Sequence, residues 1–468
     1  MKKKKHIIIA GAGHAGVEAA LAVGRISEHK ITLITIDTNA IARMSCNPAI
    51  GGLAKGHLVK EIDAMGGIMG RAADIAGLQF KTLNKSKGRA VWSPRAQVDK
   101  IQYARFVSNS IKKNPNINVQ QGEVVSFETK NEHIKSVVLK NGSIISCDSL
   151  IITAGTFLNG LIHIGHEKFR AGRFGEKPAE GLTEALNRVG VDSGRLKTGT
   201  PPRIEKKSIQ WSLCSLAPGD EVPEPFSLFT KNNEIKNKMN CHLTNTNQKT
   251  IDIIEKNLNQ SAMFMGKINA VGPRYCPSIE DKVVRFSERN NHHLFLEPEW
   301  ANADQIYING FSTSLSRKAQ LMALKTIPAL RNVKIIRPGY AIEYDYIPSY
   351  QLKATLEVKN IRGLFCAGQI NGTSGYEEAA AQGLIAGINA ACYCSKKEPL
   401  IIKRSEGYMG VLIDDLITKH IKEPYRMFTA SAEHRLRLRP DNVYNRFFSI
   451  AQQFNLLSKQ QQQQTKNF

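Results

Sequence analysis

Ile7-Ile8-Ile9-Ala10-Gly11-Ala12-Gly13-His14-Ala15-Gly16 is the stretch that decides the fold. The apolar run Ile7–Ala10 predicts a short strand buried in a parallel sheet. It opens into a G-x-G-x-x-G loop: Gly11 permits the tight turn, Gly13 the close approach of a pyrophosphate, and Gly16 close packing of helix on strand. Val17–Arg25 then predicts a helix whose first amides would hold a diphosphate, and Ile31–Ile36 a second strand. Asp37 ends that strand 21 residues beyond Gly16, near the spacing for a ribose contact. Strand, loop, helix and acid together predict a dinucleotide site. The loop alone does not choose between FAD and NAD.

Working outward, Asp148–Thr156 predicts a strand ending in an Ala-Gly turn, and Gly363–Gly372 predicts another. The second runs into the alanine-rich helix start Gly375–Gly383. An N-terminal glycine loop, a mid-chain Ala-Gly turn and a late strand–helix unit resemble the two-dinucleotide flavoproteins. In those the late helix dipole stabilises negative charge on a reduced flavin ring. FAD is therefore the leading cofactor. The expected fold is α/β: a Rossmann-like, doubly wound FAD domain, discontinuous over 1–200 and 335–400, with an inserted α/β domain over 201–334. Residues 401–468 read as the start of a C-terminal helical region.

Composition narrows the function classes. The chain has 468 residues and eight cysteines without C-x-x-C or framework spacing, which predicts free thiols in a reducing cytosol and no zinc site. The absence of a redox cysteine pair near the first helix disfavours a disulfide reductase. No apolar run is long enough to span a membrane, and M-K-K-K-K-H-I-I-I-A reads as a basic tail and first strand, not a signal peptide. The net charge of +23 predicts a polyanionic partner, and nucleic acid is favoured because the arginines and lysines fall inside ordered motifs.

Two cysteines sit on backbone that proline keeps out of helix. Cys46 lies in S-C-N-P-A-I-G-G (Ser45–Gly52) and Cys276 in G-P-R-Y-C-P-S-I-E-D-K (Gly272–Lys282). Leu53–Met65 predicts a helix with Leu58, Ile62 and Met65 on one stripe, so Cys46 is expected on a loop close to a helix start, a setting that raises thiol reactivity. Around Cys276, Arg274 and Lys282 supply cationic charge and Glu280 and Asp281 acid or base groups. Simple buried thiols are the competing reading for both. Three loops rich in Gly, Pro and fixed charge (84–97, 194–203 and 337–345) read as binding loops.

These segments together resemble the MnmG (GidA) family of tRNA-modifying flavoproteins. The runs that carry the resemblance are GAGHAG, MSCNPAIGG, LKTGTPPR, VGPRYCPSIEDK, IRPGYAIEYD, AGQINGTSGYEEAAAQG and EPYRMFT, extending to about Asn442. The resemblance implies a cytoplasmic enzyme, a homodimer, that acts with an MnmE-type GTPase partner on tRNA. It implies a carboxymethylaminomethyl group placed on C5 of the wobble uridine, with FAD bound, NADH as reductant, methylene-tetrahydrofolate as one-carbon donor, and glycine or ammonium completing the group. Carried over residue by residue, Gly11, Ala12, Gly13, His14, Ala15 and Gly16 form the FAD loop, Val124 meets the adenine end and Gln369 the flavin. Gly272 to Phe286, with Gly272, Pro273, Arg274 and Tyr275, matches the nicotinamide dinucleotide stretch. Cys46 and Cys276 match the catalytic cysteines, with Lys282 or Arg274 steadying an enolate oxygen or a phosphate. Uracil C5 is a poor nucleophile, and thiolate addition at C6 would give it carbanion character; which cysteine adds is left open.

The chain also departs from the family pattern. Ala179 stands where the family has serine, and Thr429-Ala430-Ser431-Ala432-Glu433 lacks an arginine. The family continues into a long helical domain that binds tRNA and the GTPase, whereas this chain ends at Phe468 after Gln460–Gln464. The expectation is a C-terminally truncated copy with a disordered glutamine-rich end and weak tRNA affinity. Two other readings stay beside the main one: a remnant that binds FAD or RNA without turnover, and a folate- and FAD-dependent tRNA uridine methyltransferase.

Overall fold

The strand His6–Ala10 lies at the centre of a five-stranded, wholly parallel sheet in the order 364–366, 149–152, 6–10, 30–35, 117–121. Ile7, Ile8 and Ile9 are fully buried, as a central parallel strand requires. The computed structural model describes residues 4–266, 268, 270, 272 and 277–468. The helix His14–Ile26 follows the glycine loop, and the late helix Tyr376–Ser395 packs along it. Small residues make that approach possible: a Cβ on Gly383 would fall 2.0 Å from the Ala15 carbonyl oxygen, and one on Gly387 2.5 Å from that of Ala19. An antiparallel meander (Val124–Lys130, His133–Leu139, Ile144–Ser146) adds Val124, Ile134, Val137 and Leu139 to the same core. This is the Rossmann-like α/β fold expected from the glycine loop.

Two further sheets shape the site. A four-stranded antiparallel sheet groups strands 161–164, 167–170 and 194–200 with the late strand 340–346. A six-stranded antiparallel sheet, built from strands between Arg203 and Arg337, packs with helices 248–256, 279–285 and 317–325 around its own core, including Ile254, Ile279, Leu296, Ile308 and Leu324.

The polar stretch 218–240 lies within this inserted segment in sequence but packs on the first domain. The Asp74 carboxylate accepts the Phe226 and Ser227 amides at 2.7 and 2.9 Å, and Phe226 is buried in the first core. Burial pushes Asp74 up to about 6 against these hydrogen bonds. A raised folded value means the native state keeps a proton that the unfolded chain has released. This contribution to stability is therefore full below about pH 4 and is lost as pH rises through 6. The difference of about 2 units corresponds to about 3 kcal/mol. Asp74→Asn should remove that part of the slope when urea unfolding is measured between pH 4 and 7; an unchanged slope would refute the assignment.

The C-terminal region docks on helix Lys55–Ala64. Glu61 accepts the Tyr408 and Met409 amides at 2.8 and 2.9 Å, Arg446 pairs with Glu61 at 3.3 Å, and Tyr444 Oη donates to Asp63 at 2.7 Å. The glutamine tract corrects an expectation: it forms the helix Lys459–Lys466 and is not an irregular end. Ser458 accepts the Gln461 amide while the Gln461 side chain accepts the Ser458 amide, a reciprocal cap that sets the first turn. Glutamine is a good helix former, and buried Leu456, Leu457 and Thr465 anchor the segment.

Candidate active site

A cavity of about 450 Å³ opens beyond the carboxyl ends of the parallel strands. Gly11, Ala12, Gly13, His14 and Ala15 form part of its wall, joined by Asp37, Val124 and Gln369. The three loop glycines divide their work. Gly11 has φ +113°, and a Cβ there would lie 2.4 Å from the Thr153 carbonyl oxygen. Gly16 is pressed inward, its Cβ position 1.9 Å from the Gly11 carbonyl oxygen, so it supports the wall without lining it. Gly13 caps the first helix, and a Cβ there would meet nothing within 4 Å. The helix N-terminus thus faces open space suited to an anion.

Polar groups in the wall fit a dinucleotide. His14 Nε2 and Arg173 Nε are buried without a hydrogen-bond partner among the described residues. Burial, with the nearby Arg173 charge, pushes His14 down to about 3, so its imidazole is neutral. It stacks on Tyr376 with centroids 4.5 Å apart. Asp37 accepts the Asn39 amide and pairs with Arg43 at 3.3 Å; Arg43 also reaches Glu176 at 3.0 Å. Gln369 Nε2 donates to Tyr344 Oη at 3.4 Å. Ala179 is buried in the same wall.

Cys46 lines this cavity as well. Its sulfur lies 3.3 Å from Tyr307 Oη and 4.0 Å from Thr200 Oγ1. Its loop is clamped through the backbone. The Cys46 amide donates to Tyr376 Oη at 2.6 Å, Arg203 Nη2 donates to the Ser45 carbonyl at 3.0 Å, and Lys100 Nζ to the Cys46 carbonyl at 2.6 Å. Arg203 and Lys100 share the buried carboxylate of Glu299. Burial pushes Lys100 down to about 8 against the pull of Glu299. Burial of Glu299 is outweighed by the two cations, which hold it below its usual range. The helix expected close after Cys46 begins at Lys55, with Gly51, Gly52 and Ala54 all at positive φ in between. The groups in contact with the sulfur are the hydroxyls of Tyr307 and Thr200.

Gly272 and Lys282 do not line this cavity. Gly272 packs against Lys197, whose Cδ would be 3.3 Å from its Cβ. Thr198, Thr200, Tyr340 and Ile342 line the cavity, so alternation puts Lys197 and its partner Glu343 on the other face of that sheet. Lys282 donates to the Gly310 carbonyl at 2.9 Å and borders a second cavity of about 420 Å³ with Pro277, Phe286, Arg289 and residues 290–293. Pro273, Arg274, Tyr275 and Cys276 lie outside the described residues.

Residues 6–398 match the family model described as glucose inhibited division protein A. The chain belongs to that family. A Chlorobaculum tepidum relative named tRNA uridine 5-carboxymethylaminomethyl modification enzyme MnmG is 52% identical over 462 residues, covering 98% of this chain and 74% of the relative. A Thermodesulfovibrio yellowstonii protein of the same name is 53% identical over 443 residues, covering 94% and 70%. The crystal structure of Aquifex aeolicus GidA in form I matches with a TM-score of 0.95 at 46% identity, over 99% of this chain and 78% of that one.

In this glucose inhibited division protein A family member, sequence reasoning missed the surroundings of Cys46. Tyr307, Lys100 and Glu299 carried no motif, and Arg203 and Thr200 appeared only as parts of a stiff loop. One signal was available: Glu297-Pro298-Glu299 sets two acids at the end of an apolar strand, and both prove buried. Among the described residues no helix is long and apolar enough to cross a membrane.

Proposed function

We propose that this chain is a cytoplasmic, homodimeric, FAD-dependent enzyme that places a carboxymethylaminomethyl group on C5 of the wobble uridine of tRNA. It works with an MnmE-type GTPase partner, NADH as reductant and methylene-tetrahydrofolate as one-carbon donor. The observation that carries this reading is the presence of the Cys46 sulfur in the wall that also holds the glycine loop. The MnmG names of the relatives support tRNA as substrate, as does a net charge of +23.

FAD, bound with its diphosphate at the Gly11–Gly16 loop and a ribose toward Asp37, would supply the redox chemistry and the carrier of the one-carbon unit. The protein's own share is positioning and thiol chemistry. Cys46 Sγ bonds to uracil C6, and the electron pair of the C5–C6 bond moves toward the O4 oxygen, leaving C5 nucleophilic. After C5 is alkylated, its remaining proton leaves to a base and the C6–S bond breaks, returning the thiolate. Cys276 is the second thiol, suited to the role of that base. The uridine leaves its loop stack to reach the sulfur. Lys282, with Arg289 about the second cavity, provides cationic charge for the phosphates of NADH or tRNA.

The test is reconstitution of the chain with FAD, NADH, methylene-tetrahydrofolate, the GTPase partner, glycine and unmodified tRNA, followed by mass analysis of the nucleosides. Appearance of the carboxymethylaminomethyl nucleoside is the expected result. A flavin-loaded chain that yields no modified uridine would overturn the reading.

A further inference from the structure

Two hydroxyl groups from different sheets converge on the Cys46 sulfur. Tyr307 comes from strand Gln305–Asn309 of the six-stranded sheet, and its Oη stands 3.3 Å from Sγ. Thr200 ends strand Gly194–Thr200 of the four-stranded sheet, and its Oγ1 stands 4.0 Å from Sγ.

Arg203 orders both groups. Its Nη1 donates to Thr200 Oγ1 at 2.6 Å, and the Cys46 thiol donates to the same oxygen. The same guanidinium lies 4.9 Å from the Tyr307 ring centroid, and the Lys100 ammonium 5.7 Å from it. Cations over the face of a phenol draw electron density from the ring and strengthen its O–H as a donor. Tyr307 is only 3% exposed, so water does not compete strongly for its hydroxyl. The clamps on the Ser45 and Cys46 carbonyls hold the thiol between the two hydroxyls.

We propose that Tyr307 is a catalytic residue that donates a hydrogen bond to the Cys46 thiolate and sets its reactivity. Hydrogen bonds to the charged form of a group favour that form. The inserted sheet therefore makes Cys46 competent, and the thiol is activated only when Tyr307 and Arg203 are docked against its loop. This assignment rests on the reading of Cys46 as the nucleophile of the proposed reaction.

The experiment is the rate of alkylation by iodoacetamide at about pH 7, in which the thiolate forms the S–C bond and iodide leaves. It is read by mass spectrometry on the tryptic peptide Met44–Lys55 of the full chain, which isolates Cys46 from the other thiols. Tyr307→Phe keeps the ring under both cations and removes only the hydroxyl. It should slow alkylation about 3- to 10-fold. A Tyr307→Phe rate equal to that of the unmodified chain overturns the proposal. Should that variant lose its cooperative thermal transition, 3-fluorotyrosine at position 307, a stronger donor of nearly the same volume, should raise the rate, and an unchanged rate overturns the proposal instead. The outcome is independent of the tRNA reaction. If Cys46→Ser still yields modified nucleoside, the functional reading fails and Tyr307 loses its catalytic role, whereas an unchanged alkylation rate in Tyr307→Phe removes the Tyr307 assignment alone.

Discussion

Gly16→Ala should destabilise the chain by about 3 kcal/mol or more and yield colourless protein. The added Cβ would stand 1.9 Å from the Gly11 carbonyl oxygen and 2.9 Å from Thr153 Oγ1. The nearer atom is backbone, so no side-chain rotation relieves the clash. The loop has little room to retreat. Thr153 Oγ1 donates to the Ala10 and Gly11 carbonyls, and the strand behind it is the fully buried centre of the parallel sheet. The helix must therefore lift off the strand, which also disturbs its packing on Ala15 and Ala19 by the late helix. Gly13→Ala is the control that separates folding from cofactor binding. Gly13 has φ −74°, which alanine adopts without strain, and open space beyond its Cβ position. Its unfolding midpoint should match that of the unmodified chain, while flavin content after purification falls because the methyl group intrudes on the diphosphate's approach. Thermal unfolding and visible flavin absorbance read the two effects apart. Full flavin content in Gly13→Ala would show that no pyrophosphate rests on this loop.

Legibility in the sequence followed the range of the interactions. The strand, glycine turn, first helix and Asp37 are set by contacts within some thirty residues, and the structure places them with shifts of a few residues at element ends. The stripe Leu58, Ile62 and Met65 was readable for the same reason, and all three are fully buried. The alanine- and glycine-rich late helix showed its small residues, yet the need for Gly383 and Gly387 appears only once Ala15 and Ala19 lie opposite. The Cys46 surroundings were illegible because they are assembled across the chain. Lys100 and Glu299 are separated by 199 positions, and Cys46 and Tyr307 by 261. No local periodicity pairs such residues; only the docking of the six-stranded sheet on the first domain does. The glutamine tract was misread from composition, since a reciprocal cap at Ser458 and two buried leucines outweigh the polarity of its side chains.

Cys46→Ser should retain flavin and fold normally while nucleoside product falls at least about a thousandfold. Retention of the fold follows from what holds the loop. Arg203 and Lys100 grip carbonyl oxygens and Tyr376 accepts the backbone amide, so none of the three clamps involves the sulfur. Serine fills nearly the same volume and offers its own hydroxyl to Tyr307 and Thr200. The chemistry is what it cannot replace, because an alcohol is intrinsically a far weaker acid and a poorer nucleophile than a thiol and adds poorly to uracil C6. Cys276→Ser should give the same flavin content and a comparable loss. The double variant should be no worse than the weaker single one if both thiols serve one sequence of bond-making steps, since groups acting as a unit are not additive. Flavin absorbance, thermal unfolding and nucleoside mass analysis on the three variants settle the matter together. Product at the unmodified level from Cys46→Ser would remove the thiol from the reaction and leave the hydroxyl-lined pocket around it with a structural role alone.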